Sequence, residues 1–291
     1  MRFFEGYTGP IVASVALVCV IGVAVIYGMQ HDSSDAMLRI QQTACIRIGY
    51  SAEAPFSYLD HGEVVGAWPN VAKCVLMRMG IRRLEWVQCE FGELLTQLDQ
   101  GRFDIVAVGM YITPERQERA AFSLPAAIIR EGLLVAKGNP KNLHSYRDCI
   151  RHADAVVAVL DSTVEARTLS AMGLPRDRMR FYPDAMSGIM AVKAGKTDAL
   201  AMTAPTVRYL ASTEPDKAVE AASPFSEQGG EVPDVARPAG YAFRHQDAEL
   251  VAAFNRELAA LMGTPEYLAI VRPYGFDESN MPDSAPASRT D

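Results

Sequence analysis

The sequence predicts an α/β protein made of two successive sheet-and-helix units, preceded by a single apolar segment. Three observations carry that prediction. Short strand-like apolar runs alternate with stretches of helical spacing; the alternation pauses near residues 132–140 and restarts; and an uncharged run of 18 residues stands close to the amino terminus. With 291 residues, 49% of them hydrophobic and 22% charged, the chain is long enough for one large or two medium domains. Its net charge of −7, with Lys and Arg scattered, argues against nucleic acid as a partner, which calls for clustered basic residues.

The apolar run is Ile11–Gly28, "IVASVALVCVIGVAVIYG", close to the ~20 residues of a membrane-spanning helix and at the upper limit for a signal-peptide core. Arg2 precedes it and Asp32 and Asp35 follow, so residues 1–10 are expected to stay cytoplasmic and the bulk of the chain to lie outside. The one passable cleavage site, Ser34-Asp35-Ala36, falls several residues beyond the run, which leaves both a transmembrane anchor and a removed signal segment open. Export follows from either. Cys19 sits behind Val18, which is not the small residue of a lipoprotein site. Cys45, Cys74, Cys89 and Cys149 show no CxxC and no histidine at metal spacing, so no metal is expected. In an exported protein some of them could pair, Cys74 with Cys89 for instance. Residues 29–43 are polar and read as a linker.

The folded body begins with the strand "CIRIGY" (45–50). "PNVAKCVLMRMG" puts Val71, Val75, Leu76 and Met79 on one helical face and stops at Gly80. "LEWVQCE" reads as a strand, "FGELLTQLDQG" as a short helix with Leu94, Leu95 and Leu98 inward, and "FDIVAVG" as a third strand. After "GLLVAKGNP" (132–140) the order repeats: strand "AVVAVL", helix "STVEARTLSAMG", strand "RFYP", helix "DAMSGIMAVKAG", strand "TDALAMT", helix "APTVRYLAS". A loop rich in Gly, Pro and acid (223–239) leads to "GYAFR", the helix "AELVAAFNRELAALMG" and "TPEYLAIVRPYGF". The tail 281–291 reads as disordered.

Open α/β sheets bind ligands beyond the carboxyl ends of their strands. Four such ends are unusual. The first strand leads to Glu53 and Phe56, in a loop that Pro55 is expected to keep extended. The second ends near Phe91. The third runs into "GMYITPER", where Thr113, Pro114 and Glu115 read as N-cap, first helical residue and acidic first turn. Arg116 then occupies a position that the helix dipole disfavours for a cation. A bound anion would offset it; a bridge to Glu115 or Glu118 is the structural alternative. Phe56, Phe91 and Tyr111 are either core or an aromatic box, each ring face giving about 0.5–2 kcal/mol to a desolvated cation. At the fourth end, "LDSTVEA", Ser162 and Glu165 have capping-box spacing, and the amides there with the Ser162 and Thr163 hydroxyls suit a carboxylate or an ordinary cap. No Gly-x-Ser-x-Gly, phosphate-cradling loop or His-Glu-x-x-His occurs, so neither catalysis nor a cofactor is expected. His31, His61, His144, His152 and His245 lie mostly in polar, turn-like contexts.

These strand ends, in this order, resemble the extracytoplasmic solute-binding proteins of ABC importers, in particular the polar amino-acid family with the two-lobed type II fold, over about residues 44–280. "AVGMYITPERQERAAFS" resembles that family's T-x-x-R…F-S stretch, "KTDALAMT" its second-lobe strand and "GYAFRHQDAELVAAFNREL" its return segment. The resemblance implies two hinge-crossing strands, "LLVAKG" and "GYAFR". It implies lobe 1 over 44–135 and 239–280, and lobe 2 over 136–238. Within the family, "EAPF", "EFGELL", "GMYITPER", "KGNPKNLHSY", "FYPDA" and "GTPEYL" look most like the binders of ectoine and hydroxyectoine. By that resemblance Phe56, Phe91 and Tyr111 box the ligand's amidinium ring, Arg116 pairs its carboxylate and Glu53 accepts from a ring N–H. Amino-acid binders of the family usually place an Asp after the threonine of the second-lobe strand; here that residue is Ala204, which suits a ligand without a primary ammonium. The expected protein is a monomeric receptor that hands a zwitterionic solute to membrane permease subunits. Alternatives are a polar amino-acid receptor, a cyclic-acid dehydratase using Glu53 as acid/base, and an anchored sensor domain.

Overall fold

The computed structural model describes residues 36–160, 163–226 and 237–282; the apolar run 11–28 and most of the tail lie outside them. No helix among the described residues is long and apolar enough to cross a membrane.

The first unit opens with α1 (Ala36–Thr43) and β1 (Cys45–Tyr50), then the hairpin β2 (Tyr58–Asp60) and β3 (Glu63–Val65). It continues through α2 (Ala67–Arg78), β4 (Arg83–Gln88), a 3-10 turn at Phe91–Glu93, α3 (Leu94–Asp99) and β5 (Ile105–Tyr111). α4 (Pro114–Arg119), β6 (Ala121–Phe122) and β7 (Ala127–Ile129) complete it. The second unit holds β8 (Glu131–Ala136), α5 (Tyr146–Arg151), β9 (Val157–Leu160), α6 (Val164–Ala171), β10 (Met179–Tyr182) and α7 (Ala185–Lys193). β11 (Ala199–Thr203), α8 (Ala204–Thr213) and β12 (Val219–Ala221) follow. β13 (Arg237–Phe243), α9 (Ala248–Leu261) and α10 (Pro265–Val271) close the described chain.

Two mixed sheets result. In the first, β4, β1 and β5 are parallel, and β13 returns antiparallel beside β5 to pair with β6 and β7. In the second, β10, β9 and β11 are parallel, with β8 and β12 antiparallel at the other side. Parallel strands in each sheet bring their carboxyl ends to one edge, which is where ligand sites form in such sheets.

The strands read as near-continuous apolar runs because both faces are covered. Along β5, Ile105 and Ala107 enter the core beneath α2, while Val106, Val108 and Met110 enter another against α3. Leu94, Leu95 and Leu98 are all buried there, as their spacing predicted. The return segment also finds its place: Leu250, Phe254 and Leu258 of α9, with Tyr267 and Val271 of α10, join the core of the first sheet.

Four expectations are corrected. The stretch 29–43 is not simply a linker, because Ala36 and Ile40 are buried one helical turn apart and Arg39 reaches the buried Asp104. "LLVAKG" is not a hinge strand and does not belong to lobe 1. β8 lies wholly in the second sheet, its Leu133 and Val135 facing one core and Leu134 another. Ile129 still pairs with Arg237 in the first sheet, whereas Glu131 already pairs with Thr203 in the second, so Arg130 alone makes the first crossing. Finally, Cys74 and Cys89 are free thiols; Cys74 Sγ donates to Glu266 at 3.3 Å. At the far end Met281, expected in the tail, still packs against the core.

Candidate ligand-binding site

Between the strand ends of the two sheets lies a cavity of about 350 Å³, within the size range of small-molecule sites. Glu53, Phe56, Phe91, Tyr111 and Arg116 line it from the first unit and Thr163 from the second. Six of the seven predicted site residues therefore share one wall system. The seventh, Ser162, lies outside the described residues.

Each side chain arrives there for a local reason. After β1 the chain turns instead of staying extended as Pro55 suggested: the Ala54–Pro55 bond is cis, Glu53 N donates to Ser57 O at 2.6 Å and Phe56 N to Glu53 O at 2.9 Å. That turn projects Glu53 into the open part of the cleft. It also drives Phe56 inward, where its ring meets Phe276 edge-on at 5.8 Å. Glu53 is solvent-accessible, yet the surrounding walls remove enough water to push its carboxyl above the ordinary value; its exposure limits what that push is worth.

Gly109 (φ +73°) lies against Trp68, and any side chain there would enter the indole. Its conformation re-aims the last residues of β5, so that Tyr111 faces the cavity. α4 then starts as its sequence predicted, with Thr113 Oγ1 accepting from Arg116 N at 3.3 Å and Pro114 at the first helical position. Rather than bridging Glu115 or Glu118, the Arg116 guanidinium donates to the Tyr111 carbonyl at 3.1 Å and lies 5.4 Å from the Phe91 ring centre. Burial draws its pKa down, with Glu115 opposing, but a guanidinium keeps its charge. The site thus holds a half-buried, oriented cation at the wrong end of a helix.

Tyr111 brings in a residue that the pattern missed. The Arg237 guanidinium, at the start of β13, lies 5.5 Å from the Tyr111 ring centre and 3.7 Å from a carboxylate oxygen of Glu131. Glu131 is buried and also accepts from Thr168 Oγ1 at 2.9 Å. Two of the three aromatic faces expected to box a ligand cation therefore already carry a guanidinium of the protein. Arg237 emerges from a polar loop with no periodicity, so nothing in its neighbourhood marked it.

The second unit contributes through two helix starts. Thr163, not Ser162, caps α6, its Oγ1 accepting from Ala166 N at 3.4 Å, so Glu165 stands at the second helical position and not at capping-box spacing. Glu165 is itself buried on the cavity wall. Burial pushes its carboxyl up, against its own backbone amide, Arg237 and the Thr163 hydroxyl, while Glu53 adds to the rise. At the end of β11, Thr203 Oγ1 shares a 2.7 Å hydrogen bond with Thr206 Oγ1, and both line the cavity. Ala204 does not. It lines a separate cavity of about 370 Å³ beside Arg130 and Arg208, so the residue that meets the ligand space at this strand end is Thr203, a hydroxyl.

The cavity is consequently amphipathic, lined by one guanidinium (Arg116), two carboxyls (Glu53 and Glu165) and three aromatic rings, with Arg237 behind the Tyr111 ring. Such walls suit a small zwitterion. Among the described residues no cluster of His, Cys, Asp and Glu could hold a metal.

Two α/β units, the first crossing between them made at Arg130 and a cavity lying between their strand ends, define the two-lobed type II periplasmic-binding architecture. The chain belongs to the bacterial extracellular solute-binding proteins, family 3, whose model matches residues 46–278. It is a binding protein and not an enzyme. A probable amino-acid ABC transporter periplasmic-binding protein, y4tE of Sinorhizobium fredii, is 35% identical over 79% of this chain and 77% of its own length. Among solved structures, EhuB in complex with hydroxyectoine matches with 30% identity and a TM-score of 0.63, over 83% of this chain and 92% of EhuB. An ancestral cationic amino acid solute-binding protein, AncCDT-1, matches with 26% identity and a TM-score of 0.70, over 82% and 98%.

Proposed function

We propose that the protein is the solute-binding subunit of an ABC importer and captures a small zwitterion outside the cytoplasmic membrane, ectoine or hydroxyectoine being the first candidates. The observation that carries this reading is the placement of Arg116 and the rings of Phe56, Phe91 and Tyr111 on one cavity of about 350 Å³. Arg116 offers two parallel N–H donors to a carboxylate, and the aromatic faces with Glu53 accept a delocalised cation carrying N–H groups. Thr163 and Thr203 complete the wall from the second lobe with hydroxyls, beside the carboxyl of Glu165. Bound solute joins the lobes, favouring a closed form that membrane permease subunits recognise, while residues 11–28 direct export or tether the receptor near the importer.

One observation favours a second reading. Guanidinium groups already lie over Phe91 and Tyr111, so these faces suit an arginine-like side chain as well as an amidinium ring. Calorimetric titration of the region from residue 36 onward with ectoine, hydroxyectoine, L-arginine and L-glutamine separates the two. Tight binding of the cyclic solutes alone supports the first reading; binding of an amino acid with no response to ectoine overturns it.

A further inference from the structure

Glu165 is 6% exposed and lines the ligand cavity from the start of α6 in the second lobe. Glu53 lines the same cavity from the first. The ordinary account of an acid at the second position of a helix is compensation of the helix dipole, and a solvent-exposed side chain serves that purpose. This one is inside. The Thr163 hydroxyl beside it donates to the Leu160 carbonyl at 2.9 Å, and the two positive groups nearest its carboxyl are engaged elsewhere. Arg237 is shared with the buried Glu131 and the Tyr111 ring, and Arg116 with the Tyr111 carbonyl and the Phe91 ring. Two carboxylates from opposite lobes thus converge on one space with less than full compensation. Like charges brought together in a partly desolvated site repel more strongly than in water, and burial penalises both charged forms.

We propose that Glu165 and Glu53 form a two-lobe carboxylate clamp, selecting solutes whose cation presents N–H donors on opposite sides and making closure of the lobes depend on that cation. The clamp rests on the reading of this cavity as the solute site, but not on ectoine being the solute. An amidinium or a guanidinium fits, because each carries N–H groups pointing in different directions that can be accepted by one carboxylate from each lobe. A neutral or purely anionic solute leaves the two acids facing each other and is rejected.

The test compares wild type with Glu165→Gln, each titrated calorimetrically with ectoine, hydroxyectoine and L-arginine, alongside the ligand-free melting temperature. Glutamine keeps size and hydrogen bonding while removing charge. The expected result is at least a tenfold weaker affinity for whichever probe wild type binds, with a ligand-free melting temperature that is unchanged or higher. Affinity within twofold of wild type overturns the clamp, as does a loss of affinity accompanied by a lower ligand-free melting temperature, which would mark Glu165 as a packing residue. If wild type binds L-arginine but not ectoine and Glu165→Gln weakens it, the ectoine assignment falls and the clamp stands. If ectoine binds both forms equally, the clamp falls and the assignment stands. Binding of none of the three removes both.

Discussion

The two ends of β5 handle charge in opposite ways. Just before the strand, Asp104 is fully buried and meets Arg47 at 2.9 Å and Arg244 at 3.3 Å, with Arg39 as a third partner. Burial alone would raise its carboxyl, but the hydrogen bonds of Arg47 and the charges of Arg39 and Arg47 outweigh it and hold the group below its ordinary value. Seven residues on, Tyr111 opens a cavity in which Arg116 faces outward from its helix and the carboxyl of Glu165 is pushed up by burial. At the first end, charge is closed upon itself. At the second, it is left for something to complete. Partner count separates them: Asp104 has three guanidinia and belongs to the scaffold, while Glu165, on the cavity wall with Arg237 already paired to Glu131, is the acid proposed to meet a ligand.

Removing Asp104 should produce the largest effect. Asp104→Asn takes the shared carboxylate from Arg39, Arg47 and Arg244 at once and leaves the buried Arg244 with Asp247 alone, for an expected loss of about 3–5 kcal/mol in urea unfolding. Solute affinity of the folded protein should stay unchanged; a parallel loss would show that the two ends are coupled. The pH dependence has opposite signs at the two ends. Asp104, lowered on folding, stabilises above its unfolded value, about 3.9, and that stability disappears as pH falls through its lower folded value. Glu165, raised on folding, costs nothing below its unfolded value of about 4.3 and an increasing amount as pH climbs toward the higher folded one. Melting temperatures across pH 3–7 should therefore show a shallower acid-side slope in Asp104→Asn and an undiminished one in Glu165→Gln.

Arg116→Ala is the complement. It should weaken solute binding by about 2–5 kcal/mol in calorimetry if the solute carboxylate closes over this half-buried guanidinium, with little change in the urea midpoint. Equal damage to stability and affinity would make Arg116 a structural residue like Arg47.

Gly109 stands between the two ends and should affect both. Gly109→Ala forces a methyl into Trp68 and a side chain into a left-handed conformation, an expected cost of about 1–3 kcal/mol of stability. Because the strand end is re-aimed at this glycine, affinity should fall with it. A variant that loses stability and binds normally would show that Trp68, not the strand end, absorbs the strain.

What could be read without coordinates follows the range of the forces. The cap at Thr113 and Pro114 and the inward leucines of α3 depend on neighbours within four residues, and the pattern carries them. The place of β8 does not: a strand apolar on both faces suits the middle of either sheet, and the pairing of Glu131 with Thr203 spans too much chain to be seen. α1 shows only Ala36 and Ile40 to a pattern search, while the partner that anchors its Arg39 is 65 residues away. Around the cavity, adjacent hydroxyls made Ser162 look like the cap that Thr163 provides, and a shift of one residue put Ala204 in the place of Thr203. Arg237 was silent for the same reason as Arg130, and Glu165 read only as half of a capping box. Their meaning lies in contacts between lobes, to which periodicity within one element is blind.

The smallest expected effect discriminates most finely. Thr113→Ala removes a single acceptor from the Arg116 amide, and loss of such a cap costs about 1 kcal/mol. If Arg116 is positioned by its turn, affinity should drop by less than in Arg116→Ala but by more than the stability change explains, since the donor to the Tyr111 carbonyl would lose its fixed starting point. Thr113→Ser, which restores the hydroxyl without the methyl, should recover both. Recovery of stability without affinity would mean that the threonine methyl packs against the solute, and Thr113 would then belong to the cavity instead of only shaping it.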